Sequence, residues 1–206
     1  MVAKITKPNQ LNGNRIMPLL FEHDLFREPD STFRDHAQQG ENGTMAIDEA
    51  RRHPRGGLYF EDFEVGQVFK HRLTRTVTQM DNMLFSNMTL NPQPLHIDAH
   101  FCERETEWGK PLMNSLFTLG LMIGISVNDT TVGTTVGNLG MTDVRFPAPL
   151  FEGDSIRVET EIAAVRRSKS RPDTGIVDFL HRAYNQDGKL VAECRRQGMM
   201  RARTTG

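Results

Sequence analysis

The densest polar chemistry in the chain lies in one short run, Asn91, Pro92, Gln93, Pro94, Leu95, His96, Ile97 and Asp98. An imidazole titrates near neutrality, so His96 is fitted to take a proton from water or to return one to carbon, the two acts that reversible hydration of a double bond needs. The competing reading is a histidine whose ring merely bonds a backbone carbonyl. Pro92 and Pro94 fix the backbone here and exclude regular structure, and irregular segments of this kind commonly carry functional side chains. His71, His100 and His181 fall on strand or helix positions, where structural or exposed roles are expected. Asp98 reads as an N-cap, its carboxylate accepting from the free amides of a helix that runs through Trp108 and closes at Gly109.

The elements around this run follow from apolar periodicity. Residues 68–77 alternate in part and read as a strand. Thr78, Gln79, Met80 and Asp81 form a helix-start pattern, and Met80, Met83, Leu84 and Met88 recur at helical spacing before Asn91 and Pro92 stop the helix. Residues 112–127 are apolar on nearly every face over about four turns, which predicts a helix buried all round. Gly120 and Gly124 on it would let another element approach its backbone closely. Residues 136–146, 155–165, 175–184 and 190–200 read as strands. The organisation is therefore α+β, an antiparallel sheet wrapped round one long buried helix. Residues 1–55 are polar and broken by Pro and Gly, an arm with one apolar cluster at Met17, Leu19, Leu20 and Phe21; residues 56–206 form the domain.

Composition narrows the function further. A net charge of −1 over 206 residues offers nucleic acid nothing, and 25% charged with 37% hydrophobic residues is the balance of a globular chain. No apolar run approaches the roughly 20 residues that span a bilayer, and the first residues lack a signal-type apolar stretch, so no membrane partner and a cytoplasmic location are expected. Cys102 and Cys194 have no ligand or disulfide spacing and read as reduced filler, with no metal site.

The run from Phe85 to Asp98, then Trp108, Gly109, Lys110 and Pro111, the apolar helix, and residues 145–154 (Arg145, Phe146, Pro147, Ala148, Pro149, Leu150, Phe151, Glu152, Gly153, Asp154) together resemble the MaoC-like dehydratase family, over residues 59–203. The resemblance implies the hot dog fold and a hydratase or dehydratase acting on an enoyl thioester of coenzyme A, with no cofactor beyond that carrier. The family's usual motif, Asp-x-Asn-Pro-x-His, places its Asp five residues before His. Here Asn91 stands in place of that Asp and Gln93 in place of the Asn, while Pro94, His96 and Asp98 match. An amide cannot act as a base, so the resemblance leaves His96 to move protons in both directions with Asn91 orienting water, or brings in Asp98 or Asp81, or leaves thioester binding alone.

Where many members carry His-Gly before the central helix, this chain has Met113, Asn114 and Ser115. By position the Ser115 N–H takes the thioester oxygen, and Asn114 and Gln93 are side-chain contacts to the substrate; free amides at a helix N-terminus suit an enolate-like oxygen, and a plain helix cap is the alternative. The spelling of the motif resembles the mesaconyl-CoA hydratase and methylmalyl-CoA dehydratase subgroup, which implies a short, branched or carboxylated acyl group. Arg167, Lys169 and Arg171, with Arg166, form a basic cluster near a turn that either holds the coenzyme's phosphates or is a solvated loop. A single sheet round one helix leaves an open edge, so a homodimer or a multiple of it is expected. A thioesterase or a catalytically silent thioester binder is the alternative function.

Overall fold

The computed structural model describes residues 51–203. The expected arm therefore lies outside the described residues except for 51–55, where Arg52 Nη1 donates to Gly56 O at 2.7 Å and to Asp129 O at 3.1 Å. After a 3-10 turn at Phe60–Asp62 come β1 (Val68–Lys70), β2 (Arg75–Thr76), α1 (Gln79–Met88), α2 (Pro94–Ile97), α3 (Ala99–Glu105), α4 (Ser115–Thr130), β3 (Thr135–Arg145), β4 (Ser155–Arg167), β5 (Thr174–Tyr184) and β6 (Leu190–Arg201). The strands pair antiparallel in the order β1-β4-β5-β6-β3, and β2 also pairs with β4.

The alternation in β4 buries Ile156, Val158, Thr160 and Ile162, and α4 packs against β4, β5 and β6. Two apolar clusters form the core. One joins Met113, Met122 and Ile125 to Ile156, Val158, Ala183, Ala192 and Cys194; the other joins Leu58, Phe60 and Phe63 to Ile162, Val177, Phe179 and Met200. Fully burying side chains of this size stabilises by about 1.5–3 kcal/mol each.

Several boundaries differ from the sequence reading. The central helix starts at Ser115 because Leu112 and Met113 are held extended, by a bridge to Phe151 and a Met113 N–H bond to Leu150 O at 2.9 Å. It is not buried all round: Thr118, Met122, Ile125, Ser126 and Thr130 face the core, while Leu116, Gly120 and Gly124 stay open, and a Cβ on either glycine would meet nothing within 4 Å. The helix after Asp98 ends at Glu105 rather than Trp108, since Thr106 turns extended and its Oγ1 bonds Cys102 O at 2.7 Å. The first strand is interrupted between β1 and β2, where His71 turns inward. The proline run holds one short helix, α2, with Pro94 at its start, where a missing N–H costs nothing.

His71 belongs to a polar chain that lies among the apolar clusters. Arg196 Nε donates to His181 Nε2 at 3.0 Å; His181 Nδ1 and Thr160 Oγ1 lie 2.8 Å apart, Thr160 Oγ1 and His71 Nε2 2.8 Å, and His71 Nδ1 and Asp129 Oδ2 3.2 Å. An arginine only donates, so His181 Nδ1–H donates to Thr160; Thr160 O–H to His71 Nε2 and His71 Nδ1–H to Asp129 then give every group in the chain a partner. This arrangement keeps both rings neutral. Burial, aided by the charge of Arg196, lowers the His181 pKa well below 6.5. Burial also lowers that of His71, against the opposing pull of Asp129.

The unfolded chain binds protons near pH 6.5 that the folded rings refuse. Stability is therefore full above about pH 6.5 and falls as pH drops, by about 1.4 kcal/mol per pH unit for each histidine so affected. Urea unfolding midpoints measured from pH about 8 down to 5 check this; a midpoint that holds or rises on acidification would contradict the neutral chain.

Candidate active site

His96 sits in α2, and four bonds fix it. Its N–H donates to Gln93 O at 3.0 Å, its carbonyl accepts from Asn82 Nδ2 at 2.8 Å and Gln79 Nε2 at 3.0 Å, and its Nδ1 lies 2.8 Å from Leu112 O. A carbonyl only accepts, so Nδ1 carries a proton, and of the two neutral tautomers this contact selects the one with the lone pair on Nε2. The ring does bond a backbone carbonyl, and that bond selects the tautomer a base needs. Nε2 has no partner among the described residues.

Leu112 is the hinge between this loop and α4. Its N–H donates to Leu95 O at 3.0 Å, and its carbonyl accepts from Asn82 Nδ2 at 3.0 Å as well as from His96. Ser115 follows three residues later, at most about 10 Å along the chain. Ser115 is exposed, and its N–H, in the first turn of α4, has no acceptor among the described residues. That open amide and the positive end of the helix favour a negative oxygen nearby.

Asn114 is not available as a substrate contact. It is buried; its Oδ1 caps Leu116 N at 3.0 Å, its Nδ2 faces Ser86 Oγ at 3.3 Å and its N–H reaches Asn82 Oδ1 at 2.8 Å. Asn91 is half engaged. Its Oδ1 accepts from Gln93 N at 3.1 Å and its own N–H donates to Ser86 O at 2.8 Å, leaving the Nδ2 donors without a partner among the described residues. Gln93 is exposed and precedes α2 without a side-chain cap bond.

The two carboxylates considered as substitutes for the missing Asp are otherwise occupied. Asp98 caps α3 through Phe101 N at 2.9 Å. Asp81 accepts from Thr78 N and Oγ1, each at 2.9 Å, and pairs with Arg75. Burial pushes its pKa up, but the Thr78 bonds and the Arg75 charge outweigh that and hold it below the ordinary value.

Arg167, Lys169 and Arg171 are not brought to this site. They lie at the β4–β5 turn, near the C-terminal end of α4, whereas His96 and Ser115 lie at its N-terminal end; sixteen residues of helix make about 24 Å. Arg167 pairs with Glu61 at 2.8 Å and covers the Phe60 ring. Among the described residues no three His, Cys, Asp or Glu side chains converge as a metal ion would require, and no helix is long and apolar enough to cross a membrane.

Sequence reasoning missed Asn82, Gln79 and Ser86. The α1 helix is inverted relative to expectation: Asn82 and Ser86 are fully buried while Met80 and Met88 are 70% and 82% exposed. The signal was present as a polar pair four residues apart, but the methionines opposite it looked like the inward face.

The family model described as MaoC like domain matches residues 62–183. The chain belongs to the MaoC-like domain family. Among its relatives, mesaconyl-CoA hydratase of Cereibacter sphaeroides is 28% identical over 72% of this chain and 43% of the relative. β-Methylmalyl-CoA dehydratase of Chloroflexus aurantiacus is 29% identical over 71% of this chain and 41% of the relative. The chain thus spans less than half the length of these two MaoC-like relatives. A Mycobacterium tuberculosis protein with a double hot dog fold superposes with a TM-score of 0.66 at 25% identity, over 73% of this chain and 46% of that one. The fold is the hot dog fold.

Because the Asn114 side chain is wholly used inside the protein, Asn114→Ala is expected to destabilise by about 1–3 kcal/mol, a lost cap plus unpaired buried groups. Ser115→Ala keeps the amide and is expected to change stability by less than about 0.5 kcal/mol. Denaturant titration of both variants checks the contrast, and equal effects would refute the assignment.

Proposed function

We propose that this MaoC-like chain hydrates, or in reverse dehydrates, a short enoyl-CoA thioester whose acyl group is branched or carboxylated. The observation that carries the reading is His96, locked by Leu112 O as the Nδ1–H tautomer with Nε2 unpartnered among the described residues, on the loop that leads to the open Ser115 amide of α4. The names of the two relatives, both acting on branched dicarboxylic acyl-CoA compounds, support the substrate class.

In the forward direction His96 Nε2 takes a proton from water, whose oxygen bonds to the β-carbon. The double-bond electrons move toward the thioester, and the enolate oxygen is met by Ser115 N–H. The proton on Nε2 then passes to the α-carbon, so one water is added and the imidazole is restored. Asn91 Nδ2 donates to the water oxygen, which leaves the water's own O–H for His96. No cofactor enters these steps, and the cytoplasm is the setting that acyl-CoA chemistry suits. A thioesterase would want a free carboxylate at the carbonyl; Asp81 and Asp98 are both engaged, which favours hydration.

A second copy is part of the proposal. Among the described residues β3 pairs only with β6, and it leaves Val136, Leu139, Met141 and Val144 exposed. Apolar groups on a free edge call for a like edge. A two-fold axis between two β3 strands sets the two α4 helices antiparallel, so the C-terminal end of one comes beside the His96 end of the other. At that C-terminal end the segments 51–55, 166–171 and 201–203 are tied together. Arg203 Nη2 donates to Arg51 O at 3.0 Å, and Glu61 accepts from both Arg203 N and Arg167 Nη2. Exposed Arg51, Arg55, Arg166, Lys169, Arg171 and Arg201 have no carboxylate partner among the described residues. On this reading the partner's basic end, Lys169 and Arg171 included, takes the coenzyme's phosphates.

Purified protein is to be assayed with crotonyl-CoA and mesaconyl-CoA, following both enoyl absorbance and thiol release. His96→Ala is expected to lower turnover by about 10²–10⁴. Asn91→Ala is expected to cost less, and Asn91→Asp to keep activity or move its pH optimum. Thiol release without loss of the enoyl group would make the chain a thioesterase, and binding with neither would make it a silent thioester binder. Near-full activity of His96→Ala would end its assignment.

The dimer has its own test. Sedimentation is expected to give a dimer or a multiple of it, and a monomer at micromolar concentration would sink the arrangement. Mixed dimers of His96→Ala with a chain carrying Lys169→Glu and Arg171→Glu are expected to recover a normal KM, because the surviving His96 then faces an intact basic end on its partner. A KM that stays raised would place phosphate binding in the same chain, or nowhere.

A further inference from the structure

We propose that Asn82 is the positioning residue of this site, setting the His96 imidazole and the α4 amides in one fixed relation. Its effect on rate rests on the hydratase reading; its effect on the imidazole does not.

The argument starts from a helix that folds against its own pattern. α1 buries Asn82 and Ser86 and leaves Met80, Met83, Leu84 and Met88 exposed. Burying an amide in place of a thioether is unfavourable unless each polar atom finds a partner. Asn82 finds three, and all are backbone groups of the site. Nδ2 donates to His96 O at 2.8 Å and to Leu112 O at 3.0 Å, and Oδ1 accepts from Asn114 N at 2.8 Å. The first is the carbonyl of the histidine itself. The second is the oxygen that fixes the imidazole tautomer. The third is the amide immediately before Ser115. Two donors on one end and an acceptor on the other are what this triangle of groups requires, and only Asn supplies them at this length; Asp would set oxygens against two carbonyls. Asn82 itself is fully buried, so it positions the groups and touches no substrate. Gln79, one turn earlier, adds a second donor to His96 O at 3.0 Å.

The consequence is geometric. A proton acceptor and an oxyanion donor must flank the same thioester, and a displacement of about 1 Å in such a pair costs on the order of 10²-fold in rate. Asn82→Ala is therefore expected to lower kcat by about 10–10³-fold while KM moves by less than about threefold, because the site stays open to substrate but loses alignment. Nitrogen NMR of labelled histidines is expected to show His96 as the Nδ1–H form in the parent protein and as a tautomer mixture in Asn82→Ala. Gln79→Ala removes one donor from His96 O and leaves the core intact. It is expected to lower kcat by about 2–10-fold, and it decides the matter where Asn82→Ala does not fold.

A folded Asn82→Ala with a lower melting temperature but unchanged kcat and an unchanged His96 tautomer would overturn the proposal and leave Asn82 a packing residue. So would a Gln79→Ala of full activity in the absence of a folded Asn82 variant. Should the parent protein turn over no acyl-CoA at all, the hydratase reading fails, and the histidine spectra alone then uphold or overturn the positioning role.

Discussion

The carbonyl oxygen of Leu112 accepts from His96 Nδ1 and from Asn82 Nδ2 at the same time, and three separately formed pieces of chain meet there. α1 supplies the amide, the proline-bounded turn α2 supplies the imidazole, and residue 112 leads into the central helix. Apolar contact supplements these bonds at the flanks, where Phe85 of α1 meets the Phe117 ring edge-on at 5.8 Å and Met113 joins the main core cluster. Pro92 and Pro94 restrict the loop before the bonds form, so less freedom is lost in making them. The same segment explains why the helix starts where it does. Leu112 and Met113 are fixed as extended chain by the loop on one side and by Leu150 and Phe151 on the other, and Asn114 then caps α4.

Away from the site the core uses the same logic on a larger scale. The two apolar clusters would be merged by any hydrophobic set at Thr160, His181 and Arg196; instead these positions carry a directed chain of hydrogen bonds ending on Asp129. A buried guanidinium is costly unless it is bonded, and Arg196 offsets part of that cost through His181 Nε2 and the face of Phe179, 4.6 Å from its centre. Its Nη2 has no partner among the described residues. The chain ties β1, β4, β5 and β6 to the last turn of α4 by directional bonds, which hold register where apolar contacts are permissive.

Sequence legibility followed burial. β4, β5 and β6 were readable because one face is buried and the side chains alternate, and β3 because its turn residues bound it. The central helix was recognisable but misjudged in its surroundings: apolarity on all sides pointed to burial all round, while the chain covers the face with Met122 and Ile125 and leaves Leu116 exposed. His96 stood out because its chemistry and the prolines beside it coincide. Asn82 did not, since its importance comes from three backbone groups 14, 30 and 32 residues away, and no local pattern encodes such partners. The basic cluster was legible as charge, but its place at the far end of α4 depends on strand pairing.

Under the proposed hydration, the presence of Asn91 in place of the Asp that the family motif usually carries changes what the remaining histidine has to do. With a carboxylate and an imidazole, one group takes the water proton and the other delivers a proton to carbon, and either can tolerate some freedom. With an amide at 91, whose Oδ1 is already bonded to Gln93 N, the proposed mechanism routes the proton that leaves water back to carbon through one nitrogen. That nitrogen is His96 Nε2 only while Nδ1–H stays committed to Leu112 O. A flipped ring would present its proton where the lone pair is needed and stop the cycle before its first step. Such a single-histidine mechanism depends more heavily on the bonds around Leu112 than a two-residue site would, and the amide of Asn82, buried on the inner face of α1, supplies one of those bonds.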